Sequence, residues 1–421
     1  MRRLVLLLCT LAGLAACHHD NDKTTPAKRT VMVYMAGENN LTAANGTRFL
    51  KNDLDEIIEG SKLLADDQRL LVFIDSMVTN KADAQKEGEG KPCIIEVHGG
   101  KRETRYVFDH EFYSSDPAYF RQVLEWMTQN APADDYGLVL WGHACGWAVS
   151  ADTIAQARTA KRAYGQDDGS DVGGSLKWMN ITQMAKAMEG LPQLHFIFAD
   201  CCDMMCAEVG YELRNATRYL IGSPAEIPGD GAPYHKIIPY LYGNDSDLYR
   251  NVINAYYEYY LDDFKGDRDL DGYSVPLSVI DTRYIGDLAN ATHDILGTFV
   301  PQMPDNPALS GIAFYWYYDA PLMYDMKAVI RQNASEADYN NWVKTFEQAV
   351  PYNRMSMRWM TIYSRLENSF AGFNQDESMY GCVSMYIPRN LSSYWGGTFR
   401  YNATSNNMAW NRVMDWSRFG W

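Results

Sequence analysis

Two apolar runs in this chain end at residues able to do covalent chemistry. Phe196-Ile197-Phe198-Ala199 is short, aromatic and β-branched, so it reads as a buried strand, and it stops at Asp200-Cys201-Cys202. Leu138-Val139-Leu140-Trp141 is a second such run, and it stops at Gly142-His143-Ala144. Side chains alternate faces along a strand, so Asp200 and Cys202 share one face and Cys201 takes the other. A thiol and an imidazole at strand ends are the minimum for a thiolate nucleophile and its proton carrier. Strand ends are also where open α/β sheets bind their ligands. Taken singly, a histidine at a strand end is more often a satisfied structural group, and a cysteine beside apolar residues is usually inert core. It is the pairing of the two that points to chemistry.

The elements around these residues alternate. Thr30–Ala36 reads as a first buried strand, followed by Leu50, Leu54, Ile57 and Ile58 at helical spacing. Leu70–Ile74 is a second strand ending at Asp75, and Cys93–Val97 with Thr104–Phe108 suggest a surface hairpin. Asp116-Pro117 caps a helix whose buried face is Phe120, Val123, Leu124 and Met127. Residues 148–177 form a long Gly, Asp and Ser-rich segment, of the kind that is functional or disordered in compact domains. A short helix over Ile181–Met188, the Phe196 strand, a helix from Ala207 and a strand over Tyr219–Gly222 follow, and then a rigid loop, P-A-E-I-P-G-D-G-A-P-Y. This alternation predicts an α/β fold with a mostly parallel central sheet and helices on both faces. From about residue 245 the chain turns to Tyr/Trp-rich helices with strand candidates at Gly311–Trp316 and Gly381–Pro388, read as a C-terminal subdomain that completes the sheet. The expected division is 1–17, 18–29, 30–244 and 245–421.

Composition excludes several classes. The 421 residues are 47% hydrophobic, enough for a full core, and carry a net charge of -15, which disfavours nucleic acid and anionic membrane surfaces as partners. The N-terminus has Arg2-Arg3 and an apolar stretch to Ala16, too short to span a bilayer and of the secretory kind. It ends Leu14-Ala15-Ala16-Cys17, which resembles a bacterial lipoprotein box with Cys17 as the lipidated residue and residues 18–29 as a polar tether. The expected location is the bacterial cell envelope, with a lipid anchor as the sole membrane contact. Of eight cysteines, the six beyond Cys9 and Cys17 of the export segment lack disulfide-scaffold spacing, and Cys202 with Cys206 has no second pair for zinc. No cofactor is expected. Calcium is the one alternative, because Asp267-x-Asp269-x-Asp271-Gly272 resembles the start of a calcium loop, but Ser278 stands where the closing Glu belongs.

The motifs together resemble the clostripain family of cysteine peptidases, within the caspase-like clan. They are T-V-M-V-Y-M-A-x-x-N-N-L at the first strand, L-V-L-W-x-H-x-x-G-W around His143, and D-x-C-x-M-x-x-x-E-V-x-Y-E-L from Asp200 to Leu213. P-G-x-G at Pro228–Gly231 and S-x-Y-x-P at Ser384–Pro388 follow in order, so the likeness covers most of residues 30–390. It implies a caspase-like fold, His143 as catalytic histidine and Cys202 as nucleophile. It also implies an oxyanion held by the backbone N–H groups of Ala144 and Cys202, and Asp200 in the specificity pocket, with Asp230 a second candidate there. Ala144 departs from the family's usual Gly after the histidine, and Cys201 from its small residue before the nucleophile.

The activity so implied is an endopeptidase cutting peptides or proteins after Arg or Lys, matured by cleavage in the 148–177 segment near Arg158, Lys161 and Arg162. The rival from another class is a catalytically inactive envelope lipoprotein that binds peptides with the same fold. A thiol hydrolase of non-protein amides is a third reading, since a Cys–His dyad serves any acyl transfer.

Overall fold

The computed structural model describes residues 26–42, 48–77, 91–147, 163–263, 273–302, 309–317, 321–362, 365–367, 376–388 and 407–419. Its centre is β1 (Ala27–Gly37), which pairs in parallel with β2 (Gln68–Ser76) on one side and β5 (Ala133–Trp141) on the other. β8 (Leu194–Asp200) and β9 (Thr217–Gly222) continue the parallel set beyond β5. The β3 (Cys93–His98) and β4 (Lys101–Val107) hairpin adds antiparallel strands beside β2. The exposed edge strand β4 carries Lys101, Arg102, Glu103 and Arg105, charges that discourage pairing with another chain. Chain order reverses at β1, because β2 is laid on one flank and β5 on the other, which leaves a crevice at the carboxyl ends of β1 and β5.

Strand alternation explains the two-sided core. On β1, Met32, Tyr34 and Ala36 enter one buried cluster while Val31, Val33 and Met35 enter another. Helix α1 (Phe49–Gly60) and the helices Tyr234–Ile237 and Asp245–Glu258 cover the second cluster. Pro117–Asn130, Ile181–Ala187 and Ile285–Phe299 cover the first. Phe120, Val123, Leu124 and Met127 are the buried residues of the helix that Asp116 caps through the N–H of Ala118, as the sequence predicts.

Past residue 245 the strands differ from expectation. The residues that extend the central sheet are β10 (Leu277–Asp281) and, later in the chain, a three-residue strand at Tyr352–Arg354, both antiparallel. The two predicted strand regions instead contribute Phe314–Tyr317 and Ser384–Met385 to a separate three-stranded sheet, joined by Pro321–Asp325. Ser278 lies buried in β10 with its hydroxyl donating to the Cys382 carbonyl at 2.5 Å, so it is a strand residue. Within the long segment after His143, two short strands, β6 (Tyr164–Asp167) and β7 (Lys177–Met179), form an antiparallel pair. Cys17, Arg158, Lys161, Arg162 and Asp267 to Gly272 lie outside the described residues.

Candidate active site

β5 and β8 are neighbours in parallel, and Trp141 pairs with Asp200. His143 and Cys202 therefore leave the sheet at the same level, each two residues past that pair. Further contacts draw the two departing segments together. Gly146 has φ +52, and a Cβ there would lie 2.3 Å from the Asp203 carbonyl oxygen and 2.9 Å from Cys206 Sγ. Only a residue without a side chain lets the histidine segment lie this close to the turn after Cys202. Cys145 Sγ donates to Asp203 Oδ2 at 3.7 Å across the same contact. Asp203 has φ 60, a left-handed conformation that Asp tolerates better than most residues, and it turns the chain sharply after the cysteine. Its N–H donates to Ala225 O at 3.0 Å, and Met205 N to Ser223 O at 3.0 Å, so the turn is fastened to the loop after β9.

Burial distinguishes the cysteines. Of the six in the described residues five are buried, and Cys202 alone is partly exposed. Cys201 is wholly buried, and desolvation pushes its thiol well above the ordinary value, as it does for Cys206 and Cys382. The Cys202 sulfur accepts the N–H of Ile227 at 3.4 Å, a donor that favours the thiolate. The helix after Cys202 starts at Ala207 and runs only to Glu212, with Cys206 as its N-cap. Cys202 is thus not at a helix N-terminus, and the Ile227 N–H, not a helix dipole, is a polar partner of its sulfur.

His143 Nε2 and Asn40 Oδ1 are 2.7 Å apart. An amide oxygen can only accept, so Nε2 carries the proton and Nδ1 is left with the lone pair. Asn40 follows β1 at the reversal of strand order and orients the histidine through this bond. The neighbouring Asn39, by contrast, is buried and braces the turn by donating to the carbonyls of Ala36 and Gln166. Ala144 forms an antiparallel bridge with Tyr164 through Cys145 N to Ala163 O and Gly165 N to His143 O, both 2.8 Å. The N–H of Ala144 takes no part in that bridge, which suits an oxyanion donor.

On the α1 side lies an acidic region. Asp200 is buried. Its Oδ2 accepts Ala232 N–H at 3.0 Å and the Tyr234 hydroxyl at 2.7 Å, and its Oδ1 accepts the Tyr256 hydroxyl at 3.1 Å. These partners are neutral, and burial pushes the Asp200 carboxyl up to about 6. Asp230 is exposed in the turn that follows Pro228-Gly229. The sequence reading missed Asp53 of α1, a buried carboxyl whose Oδ2 accepts the Trp141 indole N–H at 2.5 Å. The signal was there, since Asp53 interrupts the apolar face Leu50, Leu54, Ile57 where a helix meets its core.

Residues 33–419 match the profile of the clostripain family. The chain belongs to that family of cysteine peptidases. Clostripain of Hathewaya histolytica is 23% identical over 234 residues, a match spanning 52% of this chain and 43% of that protein's length, so the chain aligns with less than half of it. A secreted C11 cysteine protease from Bacteroides thetaiotaomicron, solved with an irreversible peptide inhibitor, is 27% identical with a TM-score of 0.73, over 93% of this chain and 100% of that one. An inactive zymogen C11 protease from Parabacteroides distasonis shares the fold at a TM-score of 0.71 and 22% identity, over 93% of this chain and 99% of that one. Among the described residues, no helix is long and apolar enough to cross a membrane, and no three His, Cys, Asp or Glu side chains are grouped to hold a metal ion.

Two outcomes follow from these contacts. Asn40→Ala removes the acceptor that holds His143, and kcat is expected to fall about ten- to hundred-fold with unchanged thermal stability, as for loss of one hydrogen bond to a group that becomes charged. A kcat within twofold of wild type would deny Asn40 this role. The second outcome concerns pH. Burial, with neighbouring acids, raises Glu38 and Glu111 to about 7 and Asp167 to about 6 beside β1 and β6, and burial alone raises Glu208 to about 7 in the core. The folded chain holds these protons at pH values where the unfolded chain, with carboxyls at their ordinary 3.8 to 4.5, has released them. Their contribution to stability is thus fully present below about pH 4 and is lost as pH rises to about 7. His195, lowered by burial, acts in the opposite sense below its ordinary 6.5. Tm should be higher at pH 5.5 than at pH 8, and the reverse order in a calorimetric series would show that these acids do not govern stability.

Proposed function

We propose that this protein is a cysteine endopeptidase that cleaves after Arg or Lys. The observation that carries the reading is the shared level of His143 and Cys202 on neighbouring strands, with Cys202 the one partly exposed cysteine among those described. In the reaction, Cys202 Sγ bonds to the peptide carbonyl carbon while His143 Nδ1 accepts the thiol proton. The tetrahedral oxyanion is held by the N–H groups of Ala144 and Cys202, one such donor being worth ~3 kcal/mol. On collapse the C–N bond breaks, His143 returns the proton to the leaving amine, and water then hydrolyses the thioester with His143 again as base. Asn40 keeps Nδ1 presented throughout by occupying Nε2.

The preference for a basic residue is supported by Asp200 beneath the loop after β9 and by Asp230 at its surface, carboxylates able to meet a cation by charge-assisted hydrogen bonds. Two further parts of the reading rest on sequence. The Leu14-Ala15-Ala16-Cys17 box supports an envelope lipoprotein anchored through Cys17, and Arg158, Lys161 and Arg162 offer basic cleavage points for self-maturation within 148–177. A catalytically inactive peptide binder of the same fold is the alternative.

The test is a fluorogenic panel with Arg, Lys, Asp or Leu before the bond, run on wild type and Cys202→Ala. Cleavage of the Arg and Lys peptides alone, with kcat/KM reduced at least about 10³-fold in the variant, is expected. Preference for Asp or Leu would refute the specificity, and cleavage of none would favour the peptide binder. On a gel, a wild-type chain that stays whole while cutting peptides would refute self-maturation.

A further inference from the structure

Asp53 has no explanation in the fold. It occupies a core position of α1 between Leu50, Leu54 and Ile57, where burying a carboxyl costs free energy unless something compensates. Its recorded partner, the Trp141 indole N–H, would be served equally by the neutral amide of an Asn. The acidic groups facing it are Asp200 from β8, Glu56 from α1 and Asp230 from the loop after β9. Glu56 is itself paired with His235 at 3.0 Å, and the hydroxyls of Tyr234, Tyr256 and Tyr260 line the same region.

Geometry shows where the two buried carboxyls converge. A Cβ built on Gly231 would lie 2.8 Å from Asp53 Oδ2 and 3.0 Å from Asp200 Oδ2, so the two carboxyl oxygens converge on the same side of this turn, where only a residue without a side chain fits between them. Gly231 has φ +61 and follows the exposed Asp230, and its carbonyl accepts the Tyr260 hydroxyl at 2.7 Å. A cationic side chain passing Asp230 and sliding along Gly231 would therefore meet two carboxylates rather than one. A planar guanidinium can bond both at once, which a single ammonium does less well.

We propose that Asp53 is a specificity-determining residue: with Asp200 it forms a paired-carboxylate receptor beside Gly231 for the cationic end of the side chain preceding the scissile bond. The inference rests on the peptidase reading above and extends it to a residue on a distant helix. It carries a consequence for protons. Two buried carboxyls that face each other without a cation are not both ionised easily: burial raises each of them, and the Asp200 charge raises Asp53 further. The empty receptor holds a proton more tightly than free carboxyls do, and an incoming guanidinium, which favours two carboxylates, displaces it to solvent. Affinity for a basic side chain then rises with pH through the range in which the empty pair would be protonated, while affinity for a neutral one does not.

The experiment compares wild type with Asp53→Asn, which keeps an acceptor for Trp141. It measures kcat/KM on matched peptides carrying Arg or citrulline before the bond, and proton release when a peptide arginine aldehyde binds, by calorimetry in buffers of differing ionisation enthalpy. The norleucine aldehyde serves as control, cancelling protons moved by Cys202 and His143. Wild type should release at least about half a proton more with the arginine aldehyde than with its control. Asp53→Asn should lose about 30-fold or more on the Arg peptide and under about twofold on citrulline, with the extra proton release gone. An unchanged Arg-to-citrulline ratio in a folded variant would overturn the role of Asp53 and leave the peptidase intact. Should the variant not fold, equal proton release by the two aldehydes on wild type overturns it. A wild type that does not distinguish Arg from citrulline would remove the basic-residue reading and this inference with it.

Discussion

The site depends on one close approach, that of Gly146 to the Asp203 turn. Parallel register between β5 and β8 brings two strand ends level, but strands separate beyond their last hydrogen bond, and level ends do not by themselves make a dyad. The missing side chain at Gly146, the Cys145 thiol on the Asp203 carboxylate and the fastening of Asp203 and Met205 to Ala225 and Ser223 hold the two segments in contact after the sheet has ended. Buried Cys145 and Cys206 thus pack between the segments, while Cys202 stays partly exposed. A left-handed Asp203 stores a small conformational cost at the point where the chain must turn back.

A second theme is carboxyl groups kept from water. The chain is acidic overall, and several of its acids lie inside rather than on the surface. One group lies on the α1 side of the sheet, with Asp53 and Asp200, and another beside β1 and β6, with Glu38, Asp75 and Asp167. Their partners are N–H and hydroxyl groups, as at Asp200, or the Ser114 and Gly169 contacts of Asp167. Neutral donors soften the penalty of burial without abolishing it, so these carboxyls bind protons more readily than exposed ones.

How much of this could be read in the sequence follows from the range of each interaction. The strands at Thr30, Leu70, Leu138, Phe196 and Tyr219 announce themselves as buried runs, and the helix at Pro117 by its cap and its periodic face, because burial on one or both faces writes itself into local pattern. β10 does not, since Leu277–Asp281 is five residues long and acquires its identity only by pairing with β9. The C-terminal strands were visible as strands but not in their sheet, a matter of pairing between segments far apart in sequence. At the site, Cys202 and His143 stood out through flanking motifs. Asn40 did not, because nothing distinguishes it from Asn39 until β1 and β5 are laid side by side. Asp53 broke a helical pattern visibly, yet which charge it faces is decided by β8 and the loop at Gly231.

The most direct measurement is to map, by mass spectrometry, where a peptide ketone electrophile ending in Arg attaches, in wild type and in His143→Ala. Cys202 should carry the adduct in wild type and react far more slowly without the imidazole. Attachment to Cys145, Cys201 or Cys206, or labelling of Cys202 at the same rate in both proteins, would contradict the pairing of His143 with Cys202.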